Sequence, residues 1–443
     1  MRIIALIALL QLSAHLAAQN PIITSQYTAD PTARVFNDKI YLYPSHDILA
    51  TPGHGRPGWF CMEDYHVFSS SDLVHWADHG VIISQDKTPW VKPDSYSMWA
   101  PECVDANGKF YFYFPSTPRD SSHGRGFTIG VAISDSPAGP FIPQDEPIKG
   151  VHGIDPNVFI DKDGQAYLYY AEGNIYVAKL KANMLELASD PVIVQNLPTK
   201  GLKEGPFMFE RNGTYYLTYP HVRNRTECLE YATATNPLGP FTVRGVIMDE
   251  SPTGCWTNHQ SIVQYHDQWY LFYHHNDLSP HFDKARSVRI DSLFFKGDGS
   301  IQKVMPTLRG VGLTPATDYI EPDRYSRISN TGVSIDFLDS LRPYRGWKTI
   351  LAGDNAWVQY NSVDFGNHPL DHALVRVSST SDATLEIHAD SLDGPVLAEI
   401  HVSAGEGWRI ITTPMAHFLP GIHHLFIRSK TNQPVEIDWL RFE

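Results

Sequence analysis

Basic charge is scarce in this chain. Thirty-five Lys and Arg stand against 49 Asp and Glu, for a formal net charge of −14 over 443 residues. No basic stripe runs through it, which argues against nucleic acid as a partner and favours neutral or weakly charged ligands. Cysteine is scarce too. Cys61, Cys103, Cys228 and Cys255 form no C-x-x-C pair, which argues against zinc and redox roles and leaves buried thiols or one incidental bridge. Long amphipathic helices are nearly absent, as are a P-loop, a nucleophile elbow and a zinc pattern. "GHGRPG" at Gly53–Gly58 has dinucleotide spacing, but it contains a proline and opens no helix. It reads as a flexible loop whose neighbouring "GWF" walls a pocket. "YHHNDLSPH" from Tyr273 lacks helical metal spacing and reads as loop histidines.

Long apolar runs are confined to the N-terminus. Arg2, the run "IIALIALLQL" and the small-residue stretch "AHLAA" have the form of an export signal, residues 1–18, cleaved near Ala18. No Cys lies at the cleavage point to take a lipid, and no later stretch is long enough to cross a bilayer as a helix. The expectation is a mature protein that is exported, periplasmic or extracellular, without stable membrane insertion.

What the chain has in quantity is a repeat. A strand, a short polar turn and a tyrosine-centred strand recur five times: "ARVFNDKIYLY", "ECVDANGKFYFY", "NVFIDKDGQAYLY", "FMFERNGTYYLT" and "SIVQYHDQWYLF". The turn pairs between runs of period-two hydrophobicity signal hairpins. The matching tyrosines are Tyr41, Tyr111, Tyr167, Tyr216 and Tyr270. Further strands follow in each unit, and Pro-x-Gly-Pro-Phe appears at Pro137–Phe141 and again at Pro237–Phe241. Four strands per unit at this period predict an all-β fold, a five-bladed β-propeller over residues 20–312. Residues 314–443 break the period and alternate in a way that predicts a separate, jelly-roll-like β-sandwich.

One position in the repeat is chemically distinct. Asp30 lies 11 residues before Tyr41, Asp155 12 before Tyr167, Glu204 12 before Tyr216 and His259 11 before Tyr270; the second unit places Ala100 there, beside Trp99. In a propeller the innermost strands surround one channel, so these positions converge. A single acid at a strand end is commonly a turn cap, but three in register favour function. Paired carboxyl groups across a pocket are the equipment for glycosidic hydrolysis, one protonating the leaving oxygen and one activating water.

The motifs "ADP" at Asp30, "WAPE" at Trp99–Glu102, "GIDPNVF" around Asp155, "KEGPF" around Glu204 and "NHQSI" around His259 resemble glycoside hydrolase family 43. The resemblance implies an inverting enzyme on a five-bladed propeller, with Asp30 as general base, Glu204 as general acid and Asp155 tuning the acid. It implies that His259 approaches a hydrated calcium, against an ordinary buried histidine. It also implies that Arg286 reaches sugar hydroxyls, with Arg289 as competitor and a salt bridge as the plain reading. Trp99 either stacks on a sugar or packs between blades.

The C-terminal part resembles carbohydrate-binding module family 6 through "YIEPDRYSR", "WVQYNSVDFG" and the closing "IDWLRFE". That implies a structural calcium near Glu321, Asp323 and Asp438, with Trp347, Tyr360 and Trp408 as sugar platform or core. No organic cofactor is implied. The expected partner is a plant poly- or oligosaccharide. The expected activity is α-L-arabinofuranosidase, ahead of β-xylosidase, endo-xylanase and galactan or arabinan cleavage. The rivals are a non-catalytic sugar-binding propeller and a retaining glycosidase, which would carry "RDP" and "EC" motifs instead.

Overall fold

The computed structural model describes residues 20–342 and 345–443, so the N-terminal segment read as an export signal lies outside the described residues. Two compact units are present, Asn20–Val311 and Gly312–Glu443.

The hairpin turns of the first unit carry out their local chemistry. Asn37 and Asp38, Asn107 and Gly108, and Asn212 and Gly213 all have positive φ, the conformation that joins two twisted strands in two residues. Each such hairpin extends into an antiparallel sheet, and five sheets result. Their innermost strands are Ala29–Phe36, Glu102–Ala106, Ile154–Ile160, Phe207–Arg211 and Ser261–Tyr265. Each inner strand touches the next, and the last touches the first. The unit is a five-bladed β-propeller.

The cores lie between blades. Phe112 and Phe114 pack back onto Tyr43 and Tyr65 of the first blade, while Tyr111 and Tyr113 pack forward onto Leu168 and Tyr170 of the third. Both faces of a blade are buried, which is why "KFYFYF" reads as one apolar run. Buried tyrosines also bolt neighbours together. Tyr43 donates to Pro137 O at 2.6 Å, Tyr113 to Met184 O at 2.7 Å and Tyr169 to Pro237 O at 2.5 Å. The repeated Pro-x-Gly-Pro-Phe fragment thus offers its first carbonyl to the preceding blade.

One expectation fails. The first four blades have four strands, but the fifth has three: Ser261–Tyr265, Gln268–His275 and Ser287–Leu293. The residues beyond it make only an isolated bridge, Phe295 to Ile301. The free edge of Ser287–Leu293 is covered by the N-terminal stretch instead. Ile22 N–H donates to Val288 O, Thr28 N–H to Arg286 O, and the Asn20 amide both donates to Ile290 O and accepts from Ile290 N–H.

The second unit is a sandwich of two sheets, one running Thr314–Pro315, Trp357–Asp364, Ile422–Ser429, Ala383–Ala389, Val396–Val402 with Arg327–Ile328 alongside. The other runs Val333–Phe337, Trp347–Leu351, Val435–Phe442, His372–Ser379, Gly405–Pro414. Alternate residues such as Val358, Leu385, Ile387, Leu425 and Leu440 fill its core. Tyr360 belongs to that core, with no exposed surface. Trp347 and Trp408 are half-buried and each lies under a guanidinium, of Arg324 and Arg376.

Candidate active site

The same backbone device presents the first two acids. In the first blade Ala29 pairs with Ser45 and Thr32 with Tyr43, so Asp30 and Pro31 together face a single residue. In the third, Ile154 pairs with Ala171 and Asn157 with Tyr169, so Asp155 and Pro156 do the same. These are β-bulges, which re-aim a side chain at a strand end. The following proline has no N–H to lose from the ladder. Asp30 and Asp155 have φ of 44° and 57°, a conformation that costs about 1–3 kcal/mol.

Glu204 arrives by a different route, from the loop before Phe207–Arg211. Its neighbour Gly205 has φ 53°, and a Cβ there would meet the Pro220 ring at 2.8 Å. The bare backbone lets Gly205 N–H reach Asp155 Oδ2 at 2.9 Å and Gly205 O accept from Gln260 at 2.9 Å.

A polar girdle fixes the ring beneath them. Arg34 pairs with the fully buried Glu102, Glu102 accepts from Asn157, and Asn157 Oδ1 accepts from Met208 N–H, linking four blades. Above it lies a cavity of about 200 Å³ lined by Asp30, Asp155, Glu204, His259, Arg286 and Thr257 on its polar side. Trp59, Phe60, Met62, Trp99, Ala100, Ile154 and Trp256 form its apolar wall. Trp99 packs on Phe127 and Phe60, with ring centroids 4.5 and 6.0 Å away.

Arg286 lines this cavity, but its five N–H groups point at protein acceptors. Nη1 donates to Asp30 Oδ1 at 2.7 Å and to Thr257 Oγ1 at 3.3 Å, and Nη2 to Asp30 Oδ2 at 3.1 Å and Asp47 Oδ1 at 2.9 Å. Nε donates to Asp47 Oδ2 at 2.9 Å. The expected reach to sugar hydroxyls has no N–H left to make it; Arg286 clamps the Asp30 carboxylate instead. Arg289 pairs with Asp277 and does not line the cavity.

His274 completes the setting of Asp30. Its Nδ1 accepts from Asp30 N–H at 3.1 Å, which leaves Nε2–H to donate to Thr257 Oγ1 at 3.1 Å. Burial drives its pKa well below the usual histidine value, so it holds Asp30 as a neutral ring. The expectation of loop histidines is corrected here. His274 and His275 end the strand Gln268–His275, the middle strand of the fifth blade, and are fully buried.

The acids are pushed apart electrostatically. Burial would raise Asp30, but Arg286, with help from His274, His259 and the Ser45 hydroxyl, holds it down at about 2. Asp155 is pushed up to about 7 by burial and by the Glu204 and Asp30 charges, against the pull of His259 and Gly205 N–H. Glu204 is raised by burial and by Asp30. Beside it stands Glu227, fully buried, which shares a side-chain hydrogen bond with Glu204 and is raised by burial and by that neighbour. Glu227 Oε2 accepts from Asn258 N–H at 2.7 Å, and no N–H or O–H donor reaches Oε1. Two carboxyl groups bond only if one keeps its proton, so this pair stores a proton in the cavity wall.

Asp47, His274, Thr257 and Glu227 were missed in the sequence. Asp47 follows Ser45, which pairs across from Ala29, and that register was the available signal. Glu227 opens a third strand, where the repeat offered no marker.

The calcium expectations differ in donor chemistry. His259 Nδ1 lies 3.9 Å from Asp30 Oδ1, yet Asp30 is committed to Arg286 and Ser45. One imidazole is a poor fit to an ion that takes six to eight oxygens. Glu321, Asp323 and Asp438 supply oxygens. Asp323 is pushed up to about 7 by burial, against Arg324, with Glu321 and Asp438 adding repulsion, while Arg376 pairs with Asp438. That donor type suits calcium. Their ligand atoms do not all gather within 4.8 Å; among the described residues that spacing belongs to His46, Asp64 and His66. The four cysteines are buried thiols.

The family model of glycosyl hydrolases family 43 matches residues 18–301. The chain belongs to glycosyl hydrolase family 43. The model of carbohydrate binding module family 6 matches residues 330–443 of this family 43 chain. A xylosidase/arabinosidase 43A of Humicola insolens is 38% identical over 65% of the chain and 99% of its own length. An arabinoxylan arabinofuranohydrolase of Bacillus subtilis is 27% identical over 93% of the chain and 89% of its own length. Among solved structures, a β-xylosidase/α-arabinofuranosidase from a compost microbial metagenome, in complex with xylotriose in a calcium-free form, aligns with a TM-score of 0.58. It is 36% identical and covers 65% of this chain and 97% of its own. This family 43 protein is therefore a glycoside hydrolase, with a carbohydrate-binding module following the propeller in sequence.

Proposed function

We propose that the enzyme is an inverting α-L-arabinofuranosidase acting on arabinoxylan-type oligo- or polysaccharide. The observation that carries the reading is the divergence of two carboxyl groups in one cavity: Asp30 held ionised by Arg286 and Glu204 raised beside Glu227. Pairs driven apart in this way divide into base and acid. A carboxylate has about four lone-pair sites. Asp30 Oδ2 accepts from Ser45 and Arg286 and Oδ1 from Arg286 alone, so Oδ1 retains the site that takes a proton from the attacking water. Glu204 protonates the leaving oxygen as the water adds to the anomeric carbon, and Asp155, beside it, keeps its proton affinity high.

The cavity of about 200 Å³ is smaller than the usual ligand site of about 300–1,000 Å³ and suits one terminal sugar ring. Trp59 and Trp256 at its mouth offer faces for stacking. The relatives' names span arabinosidase and xylosidase, so β-xylosidase action is the second reading.

A panel of aryl arabinofuranosides and xylosides decides between sugars, and proton NMR of the first-formed anomer decides the stereochemistry. Arabinofuranoside turnover with inverted product is expected. Retained configuration would overturn the base assignment, and absence of turnover on every substrate would favour a binding propeller.

A further inference from the structure

The segment between His46 and Asp64 leaves the first blade, carries Trp59 and Phe60 to the cavity wall, and returns. Its roots are tied by Ile48 N–H to Cys61 O at 2.9 Å and by His46 Nδ1 to Asp64 Oδ1 at 2.6 Å. On the strand Asp64–Ser70, Asp64 and His66 are two residues apart and so share a face. The His46 and His66 rings lie edge to face, centroids 5.0 Å apart. One ligand atom from each of His46, Asp64 and His66 lies within 4.8 Å of the others, and all three side chains are partly open to solvent.

We propose that His46, Asp64 and His66 bind a divalent transition metal of the zinc type that clamps the two roots of the pocket-wall loop. Two imidazoles and one carboxylate are a borderline-soft donor set that suits zinc and does not suit calcium or magnesium. Three protein ligands leave a fourth position for water. The outer shell is already present: Asp78 accepts from His66 Nδ1 at 3.0 Å, which fixes the ring and leaves Nε2 to ligate. Tetrahedral zinc with bonds near 2.1 Å places ligand atoms about 3.4 Å apart, inside the 4.8 Å within which these three lie, and the 2.6 Å His46–Asp64 bond opens to admit it. None of the three ligands lines the cavity, so the ion acts on the loop and not on the reaction.

The test titrates the metal-stripped full chain with Zn²⁺ against a chromophoric chelator and follows hydrogen exchange of residues 47–63. One equivalent is expected, lost in His46→Ala and His66→Ala and weakened about 10- to 100-fold in Asp78→Asn. Co²⁺ should give a tetrahedral absorption band in the wild type and none in His66→Ala. Zinc should slow exchange in the loop of the wild type alone. No uptake by the folded wild type, or uptake unchanged in the folded double variant His46→Ala/His66→Ala, would overturn the site. Loop exchange unaffected by bound zinc would overturn the clamp.

Discussion

Replacing Arg286 by Gln separates two roles for this residue. In the structure it is a buried cation between Asp30 and Asp47, and none of its N–H groups is left for a sugar. The fall of Asp30 from 3.8 to about 2 corresponds to about 2.5 kcal/mol, of which Arg286 is the main source. The sign follows from a depressed acid: this stability is present above pH 3.8 and is lost as pH falls through about 2. Without the guanidinium, burial acts on Asp30 against only His274, His259 and the Ser45 hydroxyl, and a buried pair stripped of its partner costs about 3–5 kcal/mol. The assay is the pH profile of kcat/KM on an aryl glycoside whose leaving group needs no proton, so that only the base limb is read. That limb is expected to move up by about two pH units or more, so that kcat/KM is lost first on the acid side, around pH 4. Arg286→Lys, which keeps the charge but not the fork, should fall between. An unmoved limb with the loss confined to KM would refute the reasoning and return Arg286 to the sugar.

Asp155→Asn removes a carboxyl raised from 3.8 to about 7, whose cost to folding builds between those two values, so the substitution should raise Tm most at pH 8, less at pH 5 and not at all below pH 3.8; activity should fall throughout. Glu204→Ala should lose far more rate on substrates with poor leaving groups than on activated aryl glycosides, and equal losses would contradict the acid role. Trp59→Ala should raise KM for oligosaccharides with little change in kcat, read in steady-state kinetics. Tyr169→Phe should cost about 1–3 kcal/mol in denaturant unfolding, because Pro237 O is left buried without its donor.

The five hairpins were legible because each repeats its own turn chemistry, and the acids because a fixed step back from each tyrosine lands on one ring of positions. The partners of those acids were not. Asp47 lies just past the second strand of its blade and Glu227 opens the third strand of its own, places the repeat does not mark, while His274 reaches Asp30 from the fifth blade, 244 residues away. Arg286 was found, but its direction is decided by Asp47, which the repeat does not mark. Four strands were expected of the fifth blade by extension of the repeat; its last segment makes a bridge and no strand, and the N-terminal stretch holds the edge instead.

That arrangement sets an order of assembly. Asn20–Thr28 is made before any blade, yet its partner strand ends at Leu293. While the ribosome makes the blades in turn, the ring stays open and the nascent chain keeps a raw β edge. Release of a product shortened before Leu293 would leave both ends of the ring without a mate. Such fragments should associate with one another or be degraded, and cooperative closure belongs to the moment the last strand emerges.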